Sequence, residues 1–233
     1  MVRFDIYKGE RFDLDKNEGL NKIQINLGWK SWGDDPTDLD ACAFLLGPDG
    51  VIMNDADFVY FKSRNRCSLP EGTEHPEKVV LEPFDRAKFG TQKHWREKTK
   101  PLSKDESVIG SPDVTGTDGE IRDHVLIDCC EEMHVVLYKV NPEITEIVFC
   151  ISIYQGDTKG TSFGSDKVQF PYISIVNEDN GEELCRYNLK ENFANETAVV
   201  AGSLICDDEG EWSFEAVGNG YEGGMQTLID IYA

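Results

Sequence analysis

Long apolar runs are missing from this chain: none of its 233 residues lies in a stretch approaching the roughly 20 consecutive apolar side chains that a membrane-spanning helix needs. The opening residues, MVRFDIYKGERFDLDK, alternate charged with apolar side chains and offer no signal-peptide core, so a cytoplasmic protein without membrane insertion is expected. Basic residues are also scarce, 23 against 44 acidic ones, for a formal net charge of -21. Such a self-repelling balance argues against nucleic acid or an anionic membrane surface as partner and makes cations the natural ligands, unless the acidity serves solubility alone. Cysteine numbers seven, an odd count without CxxC spacing, which suggests neither a disulfide framework nor a zinc ribbon. Cys42, Cys150 and Cys206 fall inside apolar runs and read as small core residues. The chain contains no GxSxG elbow, no GxxxxGK[ST] phosphate loop and no HExxH helix.

Strand signals fill most of the remainder. Runs rich in β-branched and aromatic residues occur at Lys22 to Trp29, Ala41 to Gly47, Ala56 to Phe61 and His134 to Val140. Others follow at Glu146 to Tyr154, Phe170 to Asn177, Ala198 to Cys206 and Glu211 to Gly218. Turn residues punctuate them at Gly47 to Gly50, Glu178 to Gly181 and Asp207 to Gly210. A helix is expected at MQTLIDIY near the C-terminus, with Met225, Leu228, Ile229 and Tyr232 on one face, and it is too short to persist without packing on a sheet. The expected fold is mostly β: a single domain spanning residues 1–233, built as a two-sheet antiparallel β-sandwich with short helices.

Residues 62 to 104 stand apart. They lack a sustained period and carry eleven basic against six acidic side chains, about +5 in a chain whose remainder is about -26. This segment is expected to be a basic surface insertion, either a solvated loop drawn to the acidic body or an arm that docks a partner.

Carboxylates gather at three places. Asp34, Asp35, Asp38 and Asp40 crowd the entry to one strand, and Asp38 and Asp40, two apart, are expected to leave it on the same face. Asn54, Asp55 and Asp57 precede the next strand, again as an i, i+2 pair. The third group is Asp113, Asp118, Glu120, Asp123, Asp128, Glu131 and Glu132, around Gly-Ser-Pro and Thr-Gly-Thr-Asp-Gly segments. Calcium takes about six to eight oxygens, so several such loops would have to converge to hold one ion. The spacing is not that of an EF-hand.

The segments GLNKIQINLGW, TDLDACAFLL, NDADFVYF, LYKVNPEITEIVFCISIY, ISIVNEDNGEELCRYNL, NETAVVAGSL and GEWSFEAVGNGYEGGMQTLI resemble the TerD family of tellurium-resistance and stress-response proteins, in order, from about Lys8 to Ile229. The resemblance implies a β-sandwich with calcium held in acidic loops at one end. By position it places Asp38, Asp40, Asp55 and Asp57 among the calcium ligands, with Asp113 and Asp118 as further metal candidates. Lys62, Cys129, Cys130 and Asn188 depart from the family's pattern and remove side-chain oxygens, which Asp118, Asp123 and Asp128 could restore.

The reading that results is a non-catalytic calcium-binding stress-response module acting through other stress-response proteins. Two alternatives remain open at this point: a metal-dependent hydrolase using Asp38, Asp40 and Asp57, and a thiol-based metalloid handler using Cys129 and Cys130.

Overall fold

The computed structural model describes residues 4–14, 19–32, 36–71, 77–112, 126–189, 191 and 193–233. Its first strands are β1 (Phe4–Ile6), β2 (Arg11–Asp13), β3 (Lys22–Trp32), β4 (Leu39–Leu46), β5 (Phe58–Val59), β6 (Arg66–Ser68), β7 (Val80–Leu81) and β8 (Lys100–Pro101). They continue as β9 (Val108–Gly110), β10 (Leu126–Val136), β11 (Glu146–Ile153), β12 (Gln169–Asn177), β13 (Glu182–Asn188), β14 (Ala198–Cys206) and β15 (Trp212–Tyr221). Short helices α1 (Arg86–Phe89), α2 (Gln92–Lys98), α3 (Gly156–Lys159) and α4 (Gly224–Tyr232) interrupt or follow them.

Two six-stranded sheets form the body, in the orders β1-β13-β12-β3-β10-β9 and β2-β15-β14-β11-β4-β5. The sandwich expected from the strand pattern is therefore present, with one parallel contact, between β1 and β13, where the N-terminal strand adds to a sheet edge. Alternation places the core. In β3, Ile23, Ile25 and Leu27 point inwards and meet Ala43, Leu45, Ile147, Phe149 and Ile151 of the opposite sheet.

The second sheet is buried on both faces. Cys42, Phe44, Leu46, Val148 and Cys150 point away from the main core, and α4 covers them with buried Leu228 and with Met225, Ile229 and Tyr232. This explains why β4 and β11 read as continuous apolar runs rather than as alternating ones. It also gives the nine-residue α4 its stability, since burying one leucine side chain contributes about 2 kcal/mol.

Three expectations are corrected. The strand expected at Ala56 to Phe61 is a 3-10 turn, Asp55–Asp57, followed by the two-residue β5. Asn54 caps that turn, its side-chain oxygen accepting the Ala56 N–H at 3.0 Å, and so draws the backbone away from extended geometry. The strand expected at His134 to Val140 ends at Val136, with Leu137–Lys139 in a 3-10 turn, and reaches upstream through Cys129 and Cys130.

The third correction concerns the basic segment, which is folded and not a bare loop. It contains α1, α2 and a small sheet ordered β7-β6-β8, over a core of Cys67, Leu102 and Ile109. Arg66, 1% exposed, is its centre. The guanidinium donates to the carbonyls of Phe61 and Arg96 at 2.8 Å, to the Thr99 carbonyl and, at 2.7 Å, to Thr99 Oγ1. Its face lies 5.5 Å from the Trp95 ring, and Trp95 Nε1 donates to the Glu82 carbonyl. The Arg66 charge organises the insertion from within instead of facing solvent. Among the described residues no helix is long and apolar enough to cross a membrane.

Candidate functional site

The chain enters β4 with Leu39 turned into the inter-sheet core and with Asp38 and Asp40 half-buried on the other side. Tyr154 fixes this entry by donating its backbone N–H to the Asp38 carbonyl at 2.9 Å. Asp38 and Asp40 then line one small cleft, of about 20 Å³, together with Glu131 of β10. Glu131 comes from the other sheet, so two separate parts of the fold supply these carboxylates. Ser111 and Pro112 form part of the wall, and at Pro112 the chain passes towards residues 113–125.

Asp55 and Asp57 go elsewhere. Because they occupy a 3-10 turn and not a strand, their side chains diverge instead of sharing a face. Asp55 is exposed and lines a wide cleft of about 630 Å³ that also holds Lys62 and Arg64. Asp57 is 5% exposed and does not line the cleft of Asp38 and Asp40. Burial, and after it the charge of nearby Asp105, raises the Asp57 carboxyl from its ordinary 3.8 to about 6, against the opposing pull of the Lys104 backbone N–H. The three aspartates of the hydrolase alternative therefore do not line one cleft.

Asp105 escaped the reading of the sequence. One of its oxygens accepts from Ser103 Oγ, Ser107 N and Ser107 Oγ, and the other from Asn141 N at 2.8 Å. The Ser103-Lys104-Asp105-Glu106-Ser107 spacing, a carboxylate between two hydroxyls in a turn, was the available signal. Asp157 was also missed. It accepts from Thr197 Oγ1 at 3.1 Å and shares a third cleft, of about 250 Å³, with Asp40 and Lys62. The Lys62 ammonium rests 4.8 Å from the Phe61 ring centroid.

Asp113 and Asp118, like Asp34, Asp35 and Asp123, lie outside the described residues. Among the described residues no three His, Cys, Asp or Glu side chains converge closely enough to hold a metal ion by themselves. Cys129 and Cys130 are adjacent in β10 and leave it on opposite faces, Cys129 packing against the main core and Cys130 exposed. Burial raises the Cys129 thiol, aided by Asp128 and Asp38, and at Cys130, where the residue is exposed but neighbouring atoms crowd the sulfur, desolvation and after it Glu132 and Glu131 push the thiol up to about 12. The pair cannot present two thiolates to one metalloid.

Known proteins share both sequence and fold with this chain. The TerD domain matches residues 2–77 and 99–232, leaving out the part of the insertion that contains β7, α1 and α2. General stress protein 16U of Bacillus subtilis is 32% identical over 99% of this chain and 97% of its own length. The tellurium resistance protein TerD of Serratia marcescens is 28% identical, over 97% of this chain and 94% of its own. The crystal structure of a protein of unknown function matches the fold with a TM-score of 0.52 at 20% identity, covering 91% of this chain and 96% of that one. A domain match over nearly all the chain, together with a relative of this identity and coverage, shows that the chain belongs to the TerD-domain family of tellurium-resistance and stress-response proteins.

Proposed function

We propose that the chain is a non-catalytic calcium-binding module of the stress response, working in the cytoplasm through other stress-response proteins. The proposed ligands are Asp38 and Asp40, with Asp113 and Asp118 named by the resemblance to the family, and Glu131 lines the same cleft as the first two. The observation that carries this reading is that carboxylates from both sides of the sandwich line a single cleft of about 20 Å³. That volume suits one water-sized occupant. Carboxylate oxygens are the donors calcium prefers, and three carboxylates binding at most bidentately fall at or below the six to eight oxygens it takes.

The physical effect of the ion is electrostatic. Neighbouring carboxylates repel one another, so a divalent cation between them relieves repulsion, orders the segments that bear them and stabilises the folded state by mass action.

Isothermal titration with calcium chloride tests the reading. Wild-type protein is expected to bind with measurable heat and to melt at higher temperature with the ion, and the double variant Asp38→Asn, Asp40→Asn is expected to lose both effects. Equal and negligible binding in the two proteins would remove the assignment.

A further inference from the structure

Two thiols outside this site face each other across strands. Cys42 of β4 lies directly opposite Cys150 of β11 in antiparallel register. Both are fully buried and belong to the same apolar cluster. Directly opposed residues of an antiparallel pair have Cα atoms about 4.5–5.5 Å apart, inside the roughly 4.4–6.8 Å range over which a disulfide closes. In strand register Cys67, Cys129, Cys130, Cys185 and Cys206 all stand opposite residues other than cysteine.

We propose that Cys42 and Cys150 form a reversible dithiol–disulfide site, closed by a peroxide-class oxidant and shielded from it by the C-terminal helix α4. In the first step one thiol, as thiolate, attacks a peroxide oxygen. The O–O bond breaks, and the sulfur becomes a sulfenic acid while the other oxygen leaves as an alcohol, or as water when hydrogen peroxide is used. The second sulfur then displaces the sulfenic hydroxyl, which departs as water, and the S–S bond forms. Two thiols and one peroxide thus yield one disulfide, one water and one alcohol, the sulfurs losing the two electrons that the peroxide gains.

The shield follows from packing. Leu228, Met225, Ile229 and Tyr232 of α4 lie in the same apolar cluster as the two cysteines. Burial, and after it the contact with Cys42, holds the Cys150 thiol well above the ordinary range, so the closed molecule does not offer the reactive thiolate. A helix of nine residues has little stability of its own. Its far end is tied by the Ile52 N–H donating to the Tyr232 carbonyl at 2.8 Å, and its near end begins at Gly223 and Gly224, both at positive φ. So short an element, packed on the outside of a sheet, opens by local unfolding at lower cost than the sheets beneath it, and its opening would set the rate of oxidation.

The test treats the full chain with hydrogen peroxide, blocks remaining thiols in denaturant and maps tryptic peptides by mass. The expected product joins the peptide spanning 31–62 to that spanning 140–159 through Cys42 and Cys150, and dithiothreitol separates them. Cys150→Ser abolishes it. Leu228→Ala, which loosens α4, is expected to speed the link at least about tenfold. Should that variant fold poorly, wild-type protein in urea below its unfolding transition serves the same purpose and is expected to link faster than in buffer. Absence of the joined peptide under all these conditions overturns the proposal, and so does a rate indifferent to loosening of α4.

Discussion

Asp57 is buried beside Asp105, and burial first and the Asp105 charge second lift its carboxyl to about 6. A carboxyl whose folded value lies above its ordinary 3.8 holds its proton more tightly in the native state than in the unfolded chain. Its contribution to stability is complete below about pH 4 and is lost as pH rises through 6. In chelator, Asp57→Asn is expected to remove this loss and to exceed wild type in stability by about 1–2 kcal/mol at pH 7.5, while matching it near pH 4. Urea titrations of both proteins across pH 4 to 8 provide the check, and parallel pH profiles would contradict the assignment.

The cleft of Asp38, Asp40 and Glu131 separates two groups of acidic residues that sequence alone would pool. Under the calcium reading, Glu131→Gln is expected to weaken calcium binding at least about tenfold, whereas Asp55→Asn is expected to stay within about twofold of wild type. Titration calorimetry on the two single variants decides the point. An inverted order would move the site to the cleft beside Lys62.

Arg66 holds the insertion from within, by hydrogen bonds to carbonyls of three residues and to one hydroxyl. Lysine keeps the charge but not the planar fork, so Arg66→Lys is expected to cost about 2–4 kcal/mol. Local loosening should show first as new protease cleavage between residues 78 and 98. A variant as resistant as wild type, with unchanged urea midpoint, would show that the hydrogen bonds do not organise this segment.

Gly202 on β14 leaves no room for a side chain: a Cβ there would lie 2.4 Å from the Phe214 ring and 2.8 Å from the Glu215 carbonyl oxygen. Because one of these neighbours is backbone in the paired strand, relief requires the sheet to shift. Gly202→Ala is expected to destabilise by about 1–3 kcal/mol, measured by chemical denaturation, and a change below about 0.5 kcal/mol would refute the packing argument.

The fold class was largely present in local pattern, and the pattern says why. Periods of two in β3 and unbroken apolar runs in β4 and β11 differ because β3 has one face in the core whereas the other two strands are covered by a sheet and by α4. The spacing of Met225, Leu228, Ile229 and Tyr232 specified α4 and its buried stripe without reference to anything distant. At Asp55–Asp57 local pattern misled, since a capping hydrogen bond accepted by the Asn54 side chain outweighed the strand preference of the residues after it.

The sequence by itself determined that the chain is β-rich, acidic and similar to TerD-domain proteins, because alternation, charge and ordered motifs are properties of neighbouring residues. Only the tertiary structure decided which carboxylates share a cleft and which cysteines share a contact. Asp38 and Asp40 share a cleft with Glu131, more than 90 positions away, and Cys42 faces Cys150 across strands that a long chain separates. Strand register sets the cysteine pairing through hydrogen bonds between distant segments, the packing of one sheet on the other sets the cleft, and neither is written in local composition.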